Sequence, residues 1–262
     1  GALIMLAGIY YGAQYGGSTT SVLVNIPGEA TSVVTCLDGH QMARQGRAGA
    51  ALSIAAIGSF FAGCVSTVLV AALGTPLTSL ALLFGPAEYF SLMVLGLIFA
   101  VVLAKGSVLN AIAMILTGLL LSMVGSDLET GAGRMTFDIA ELSDGIGFAN
   151  VAMGVFGFAE IIRNLEMSQE SRDIVQSKIK GLMPTRQDLI DSSGAIARGT
   201  ILGSILGILP GGGAVVASFA AYTFEKRISK TPERFGRGEI RGVAAPEAAN
   251  NAAAQTSFIP LL

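Results

Sequence analysis

GTILGSILGILPGGGAVVASFAAYTF, residues 199–224, decides how this chain is to be read. Two apolar arms of 11 residues, Gly199 to Leu209 and Ala214 to Phe224, flank Pro210-Gly211-Gly212-Gly213. At about 1.5 Å per residue, neither arm as a helix crosses a hydrocarbon core of about 30 Å. The stretch is one span broken at mid-depth or a hairpin that enters and leaves on one side, and basic residues at both ends favour the hairpin. Proline removes a backbone donor and glycine tolerates unusual dihedrals, so backbone unwound here carries polar groups that lipid cannot satisfy. They must face protein, water or a solute.

A second break lies near the start of the chain. Gly1 to Gly12 reads as the end of a spanning helix; Gln14-Tyr15-Gly16-Gly17-Ser18-Thr19-Thr20-Ser21 then precedes Val22 to Ile26 and Pro27-Gly28-Glu29-Ala30. Ile26-Pro27-Gly28 matches Leu209-Pro210-Gly211, and each triplet is followed by small residues and valines and then an Arg- and Gly-rich turn. The match predicts an internal repeat. Four helices between the copies make it parallel, five make it inverted. Paired interrupted segments mark the solute site of secondary transporters, because half-helix N-termini attract anions and loose carbonyls hold cations.

Composition agrees with a bilayer. The 262 residues are 52% hydrophobic and 13% charged, whereas soluble domains carry about 25% charged residues. The expected fold is all-α, a polytopic set of membrane helices with two interrupted Pro-Gly elements. Spans are expected at 48–73, 87–104, 107–124 and 146–162, although Gly74, Pro76, Gly85 and Pro86 would also permit three helices in 48–104. The chain divides into a first interrupted element with a basic turn (1–47), membrane helices (48–162), a polar basic connector (163–198), and a second interrupted element with its following segment (199–262). Starting and ending in apolar residues, it reads as a fragment of a longer single transport domain.

Of the 16 basic residues, 12 lie in 163–198 or 225–241, while residues 125–145 carry five acids against Arg134. Lys and Arg mark the cytoplasmic side. The two basic segments fall inside and the acidic loop outside; with two helices in 48–104 the stretch Asp38 to Arg47 also falls inside. Thr185 and Asp188 are expected to cap a short amphipathic helix in the connector. A net charge of −2 and the lack of a basic tract interleaved with aromatic residues exclude a nucleic-acid groove.

Candidate ligands cluster at the breaks. Gly17, Ser18, Thr19, Thr20, Ser21 and Asn25 offer hydroxyl, amide and exposed backbone groups before Pro27 and Gly28, although Ser and Thr in membrane helices also bond back to their own helix. Glu29 is placed to bind a coupling cation or proton, or simply to favour a helix N-terminus. Pro210, Gly211, Gly212 and Gly213 form the second break. Glu247, Asn250 and Asn251, at i, i+3 and i+4, share one face of a helix beginning at Pro246, and such a face belongs in a cavity. Asp38, Arg44, Arg47 and His40 are expected in an exposed turn, and Cys36 and Cys64 as buried free thiols. No metal or cofactor site is expected, since one histidine assembles neither a zinc site nor a triad. An ion channel and an intramembrane enzyme are the rival readings. No ring of pore charges marks the first, and no HExxH or GxSxG motif marks the second.

The same residues carry a family likeness: YGGSTTSVLVNIPGEA from Tyr15, LDGHQMARQGRAG from Leu37, GPAEYFSLMVLGL from Gly85, RGTILGSILGILPGGGAVVASFAAYTFEKRISK from Arg198, and FGRGEIRGVAAPEAANNAA from Phe235. The chain resembles the large membrane subunit of the tripartite tricarboxylate transporters nearly end to end. The resemblance implies a non-enzymatic, multi-pass permease of the bacterial inner membrane, a symporter driven by a Na+ or H+ gradient. Its implied partners are a small membrane subunit and a periplasmic solute-binding protein, and its cargo an organic carboxylate.

Overall fold

The computed structural model describes residues 2–81, 83–104, 107–127, 130–166, 182–209 and 213–259. Among these the strands are two-residue segments, β1 (Gly125–Ser126) and β2 (Gly133–Arg134), paired antiparallel in the acidic loop. Everything else regular is helical. Helix α1 (Ala2–Val24) is followed by a helical run from Ala30 through α2 (Val33–Thr35), a π-turn at Cys36–His40 and α3 (Gln41–Arg44). Then come α4 (Ala48–Ala81), α5 (Pro86–Leu103), α6 (Val108–Ser122), and α7 (Phe148–Ala152) joined through a π-helical turn, Met153–Phe158, to α8 (Ala159–Glu166). Helices α9 (Arg186–Leu206), α10 (Gly213–Ile228) and α11 (Arg241–Thr256) complete the chain.

The centre is α11, the helix whose composition advertises burial least. From Gly242 to Ala254 every residue is buried, although Glu247, Asn250 and Asn251 are among them. Small side chains make this possible. Gly199 and Gly203 on α9 and Gly207 at its C-cap face Ala245, Ala249 and Ala253 on α11, and a Cβ at any of the three glycines would collide with the facing helix backbone. This is small-xxx-small packing, in which backbones approach closely enough for dispersion and Cα–H contacts to replace bulky knobs. Helices α4 and α10 close the remaining sides.

The register fixes direction. Pairing of 199 with 245, 203 with 249 and 207 with 253 makes α9 and α11 run parallel. Gly213 closes on Leu206 and Gly207, and Arg198 pairs with Glu225, so α10 returns antiparallel to α9. The second element is therefore a hairpin, but its arms are 21 and 16 residues long, not 11. The helix capped by Thr185 and Asp188 is correspondingly not short. Thr185 accepts from the Asp188 amide and Asp188 from the Thr185 amide, and the helix then runs unbroken from the polar segment into the apolar arm. The stretch 186–198 is thus the first part of α9; 167–181 lie outside the described residues.

The Arg198–Glu225 pair joins the arms, with Nε at 2.5 Å and a second nitrogen at 3.0 Å from the carboxylate. Glu225 is 1% exposed and Arg198 40%. We expect Arg198→Ala to cost about 2 kcal/mol, below the range for a wholly buried pair because water reaches the guanidinium. Thermal unfolding of the purified full-length protein tests this, and the Arg198→Ala/Glu225→Ala double variant should lose less than the sum of the singles.

The first element is built differently. Gln14 meets Thr31, Ser18 and Thr35 share one partner, and Val22 meets Gly39 and His40. This constant offset means that Ala30–Arg44 runs parallel to α1. Asn25, at φ 58°, ends α1 in the left-handed conformation, and the chain then doubles back so that Gly28 lies on Gly17. The break therefore spans Asn25 to Glu29, after the Ser/Thr run, which belongs to α1.

Residues 48–104 hold two helices, as the spans expected there require, because Pro76 sits inside α4 instead of ending it, and the first runs on to Ala81. Other expectations are corrected. Cys64 is exposed, and only Cys36 is buried. Asp38 is buried, not in an exposed turn, and the His40 ring is half-buried with Nδ1 3.2 Å from the Val22 carbonyl. Helix α11 begins at Arg241, five residues before Pro246. Among the described residues one helix, Ala48–Ser79, is long and apolar enough to cross a membrane, and Pro86–Val102, Val108–Ser122 and Phe148–Phe158 are shorter apolar helices.

The three basic segments meet at one end. Arg47 pairs with Asp188 at 2.5 Å, Gln45 donates to the Arg237 carbonyl at 2.8 Å, and Asp38 accepts from the amides of Gly236, Gly238 and Glu239. At the opposite end Tyr10 stacks edge-on with Phe258, and Thr78 donates to the Ile259 carbonyl.

Candidate functional site

Helix α11 passes the first break at Glu247. The Glu247 carboxylate is 1% exposed; Oε2 accepts from Ser18 Oγ at 2.5 Å and Oε1 from Thr35 Oγ1. Ser18 comes from the last turns of α1 and Thr35 from the parallel run after the break, so one side chain ties both limbs of the first element to the central helix. One turn on, Asn251 donates to Ser59 Oγ of α4 at 2.7 Å and to the Glu247 carbonyl at 3.0 Å. Its Oδ1, and both polar atoms of Asn250, have no partner among the described residues, although the two residues are 0% and 1% exposed. An amide so buried and unsatisfied is costly in a finished structure.

Glu29 approaches from the other limb. Thr31 Oγ1 lies 3.0 Å from its Oε1 and 2.9 Å from Gln14 Oε1, and the single hydroxyl proton serves one of the two at a time. Oε2 has no partner and lies against Gly17, where a Cβ would overlap it. Gly17 thus has a specific role: only a residue without a side chain admits both the Glu29 carboxylate and the returning backbone at Gly28. No ion pair among the described residues involves Glu29 or Glu247.

Of the expected ligands, the structure brings together Gly17, Ser18, Gly28, Glu29, Glu247, Asn250 and Asn251. Thr20 and Ser21 instead bond back to the Gly17 carbonyl at 3.0 and 2.9 Å, Pro27 is buried in the return, and Asn25 makes the turn. Thr19 is exposed and lines a cavity of about 250 Å³ with Tyr15, Ser18, Ser53, Ser59 and Leu182. Ser18 and Ser59 connect that cavity to Glu247 and Asn251. Pro210, Gly211 and Gly212 lie outside the described residues; Gly213 starts α10. Helix α10 packs on Ala30–Ser32 and on α11, so the helices leaving both breaks flank the polar face of α11.

Sequence reasoning missed Thr35, Ser59, Gln14 and Thr31. Ser59 carried a signal, a hydroxyl in the middle of an apolar span, where polar groups face the bundle interior. Thr35 carried none, since hydroxyls are commonplace in such helices.

The chain belongs to the tripartite tricarboxylate transporter TctA family, whose model matches residues 1–262. It is 60% identical over 261 residues to an uncharacterized 52.8 kDa protein in the TAR-I ttuC' 3' region of Agrobacterium vitis, covering 100% of this chain and 52% of that one. A second relative, an uncharacterized protein in the TAR-II ttuC' 3' region of Agrobacterium vitis, is 72% identical over 60 residues, 23% of this chain and 25% of the other. This chain spans about half the length of the first relative. No solved structure matches it.

Proposed function

We propose that this chain is part of the membrane permease subunit of a tripartite uptake system for tricarboxylates or related organic acids, driven by an ion gradient. The observation that carries the reading is the buried face of α11, Glu247, Asn250 and Asn251, enclosed by the limbs of one interrupted element and the outgoing helix of the other. Helix N-termini beside that face suit a carboxylate, and its oxygen atoms suit a cation. The family's description supports the substrate class, and with it a small membrane subunit and a periplasmic solute-binding protein as partners.

Topology supports an inner-membrane, multi-pass chain. Among the described residues four apolar helical segments, α4, α5, α6 and Phe148–Phe158, separate the two elements. If each of them crosses the bilayer the chain returns to the side it left, in keeping with the contact among the three basic segments, and the placement of Lys and Arg supports a cytoplasmic face for that end. The acidic loop 125–145 then faces the periplasm. Alternating exposure arises from movement of the interrupted elements against the remaining helices.

The test is organic-acid uptake in vesicles holding the full-length protein and its partner subunits, at matched membrane expression. Gly28→Leu and Gly213→Leu place side chains into the backbone of Gly17 and of Leu206. Both should reduce gradient-driven uptake at least about tenfold, because a displaced backbone misplaces ligands held to tenths of an ångström. Undiminished uptake in both would send the search for the site elsewhere.

A further inference from the structure

We propose that the cavity at the end where the basic segments meet holds the headgroup of an anionic phospholipid from the surrounding leaflet, its phosphodiester lying among Arg47, Lys230, Arg234 and Arg241. The inference rests on this chain lying in a membrane and not on what the chain carries.

The cavity measures about 450 Å³, within the range of about 300–1,000 Å³ typical of small-molecule sites. Four separate parts of the chain wall it: Arg47 just ahead of α4, the first turns of α9, the end of α10, and the loop that leads into α11. Its four basic side chains face three acids, Asp188, Asp191 and Glu239, so one positive charge is left over. A phosphodiester carries one negative charge and balances it.

The cations are held ready in different ways. Arg47 is fixed by Asp188 at 2.5 Å. Arg241 Nε lies 3.0 Å from Glu239, a second nitrogen donates to Ser229 Oγ at 3.2 Å, and its guanidinium rests 5.8 Å from the centre of the Phe235 ring. Arg234 reaches the same Glu239 at 3.3 Å, so two guanidinium groups share one carboxylate that is 4% exposed. Each guanidinium has five N–H donors, and these contacts leave others unused. Lys230 is exposed and has no partner among the described residues. Guanidinium forks fixed beside an uncommitted ammonium suit the oxygen atoms of a phosphate.

A lipid suits the cavity better than a soluble phosphate, because its surroundings are amphiphilic. Ile228 lines the cavity at 47% exposure, and Phe224, one turn earlier on α10, is 42% exposed. Leu189 and Ile190, between the lining residues Asp188 and Asp191, are exposed as well. An acyl chain leaving the headgroup along α10 therefore meets apolar side chains from the first turn. Basic pockets between membrane helices on the cytoplasmic side bind anionic headgroups in general. A headgroup seated here ties the end of α10 and the start of α11 to α4 and α9, so its binding stabilises the bundle.

The experiment titrates the full-length protein, purified in detergent and stripped of lipid, with phosphatidylglycerol, phosphatidylcholine or inorganic phosphate. Native mass spectrometry counts the bound molecules, and thermal unfolding reports the stabilisation. Phosphatidylglycerol should bind saturably and raise the melting temperature. Phosphatidylcholine should bind at least about tenfold more weakly, since its ammonium adds positive charge where one is already in excess. Lys230→Ala should weaken phosphatidylglycerol binding about fivefold, and Lys230→Ala/Arg234→Ala about 25-fold. Both side chains are exposed, so without lipid these variants should melt as wild type does. Arg227 is exposed at the same end but does not line the cavity, and Arg227→Ala should leave the affinity within about twofold. Equal losses at Arg227 and Lys230 would mean general surface attraction and overturn the proposal. Equal affinity for phosphatidylcholine, or no saturable binding of phosphatidylglycerol by folded wild type, overturns it too. Displacement of phosphatidylglycerol by inorganic phosphate at millimolar concentration overturns it in favour of a soluble anion. The permease reading stands or falls on uptake and is untouched by any of these results.

Discussion

Asp38→Ala is expected to cost about 3–5 kcal/mol and to leave little folded protein in the membrane, because it strips the partner from four buried donors at once. Asp38 is 0% exposed. Its Oδ1 accepts from the backbone amides of Gly236, Gly238 and Glu239, each at 2.8 Å, and its Oδ2 from the Tyr222 hydroxyl at 2.7 Å. The loop that donates those amides curls through Gly236 and Gly238, at φ 77° and 97°, conformations that L side chains rarely adopt. Without the carboxylate, the loop that launches α11 has no reason to close, and water cannot easily reach its amides. Asp38→Asn keeps an acceptor for the amides and loses the charge, so about 1–2 kcal/mol is expected from it. Fluorescence-detected elution and thermal unfolding of the full-length protein measure both. An Asp38→Ala protein as abundant and as stable as wild type would mean that the loop holds without its anchor.

That anchor shows where sequence reading runs out. A polar turn containing Asp, His and two Arg reads as solvated, and Arg44 is indeed exposed. What buries Asp38 is a loop 198 to 201 residues away in sequence, and no local pattern announces such a partner. The helical character, the two breaks and the end at which basic residues gather were legible, because apolar run length, Pro-Gly punctuation and Lys/Arg placement are local properties. The geometry of the breaks was not. Two matching Pro-Gly triplets accompany two different constructions, a doubling-back with parallel limbs at Gly28 and an antiparallel hairpin whose second arm starts at Gly213. Glu247, Asn250 and Asn251 were legible as a shared face by their spacing alone. Their central position was not, since Ala-rich α11 is less apolar than α4, which is buried on one side only, and than α5 or α6, which remain largely exposed along their length. In a bundle surrounded by lipid, apolar residues mark the outside, and the core is chosen by smallness and polarity.

Glycine spacing provides the sharpest case, and a test with a large effect. Gly8, Gly12 and Gly16 on α1 repeat every fourth residue, as Gly199, Gly203 and Gly207 do on α9, so by sequence the two stripes are equivalent. In the fold they are opposites. A Cβ on Gly8, Gly12 or Gly16 meets nothing within 4 Å, whereas one on Gly203 would overlap the carbonyl and Cα of Ala249. Those atoms are backbone and cannot rotate away. Gly203→Leu must therefore push α9 off α11 along its length, opening the contacts at 199–245 and 207–253 as well. We expect a loss of about 3 kcal/mol or more, at the upper end for overpacked cores, with uptake lost alongside stability because the polar face of α11 shifts with its neighbour. Gly203→Ala should show the same direction at smaller size. Gly12→Ala should be neutral or raise stability by about 0.5–1 kcal/mol, since alanine favours the helix and nothing in this chain opposes it. Melting temperatures of the purified full-length variants decide the matter. Equal losses at Gly12 and Gly203 would mean that the α1 stripe is packed in the whole protein, and no loss at Gly203 would mean that α9 and α11 do not meet at this distance.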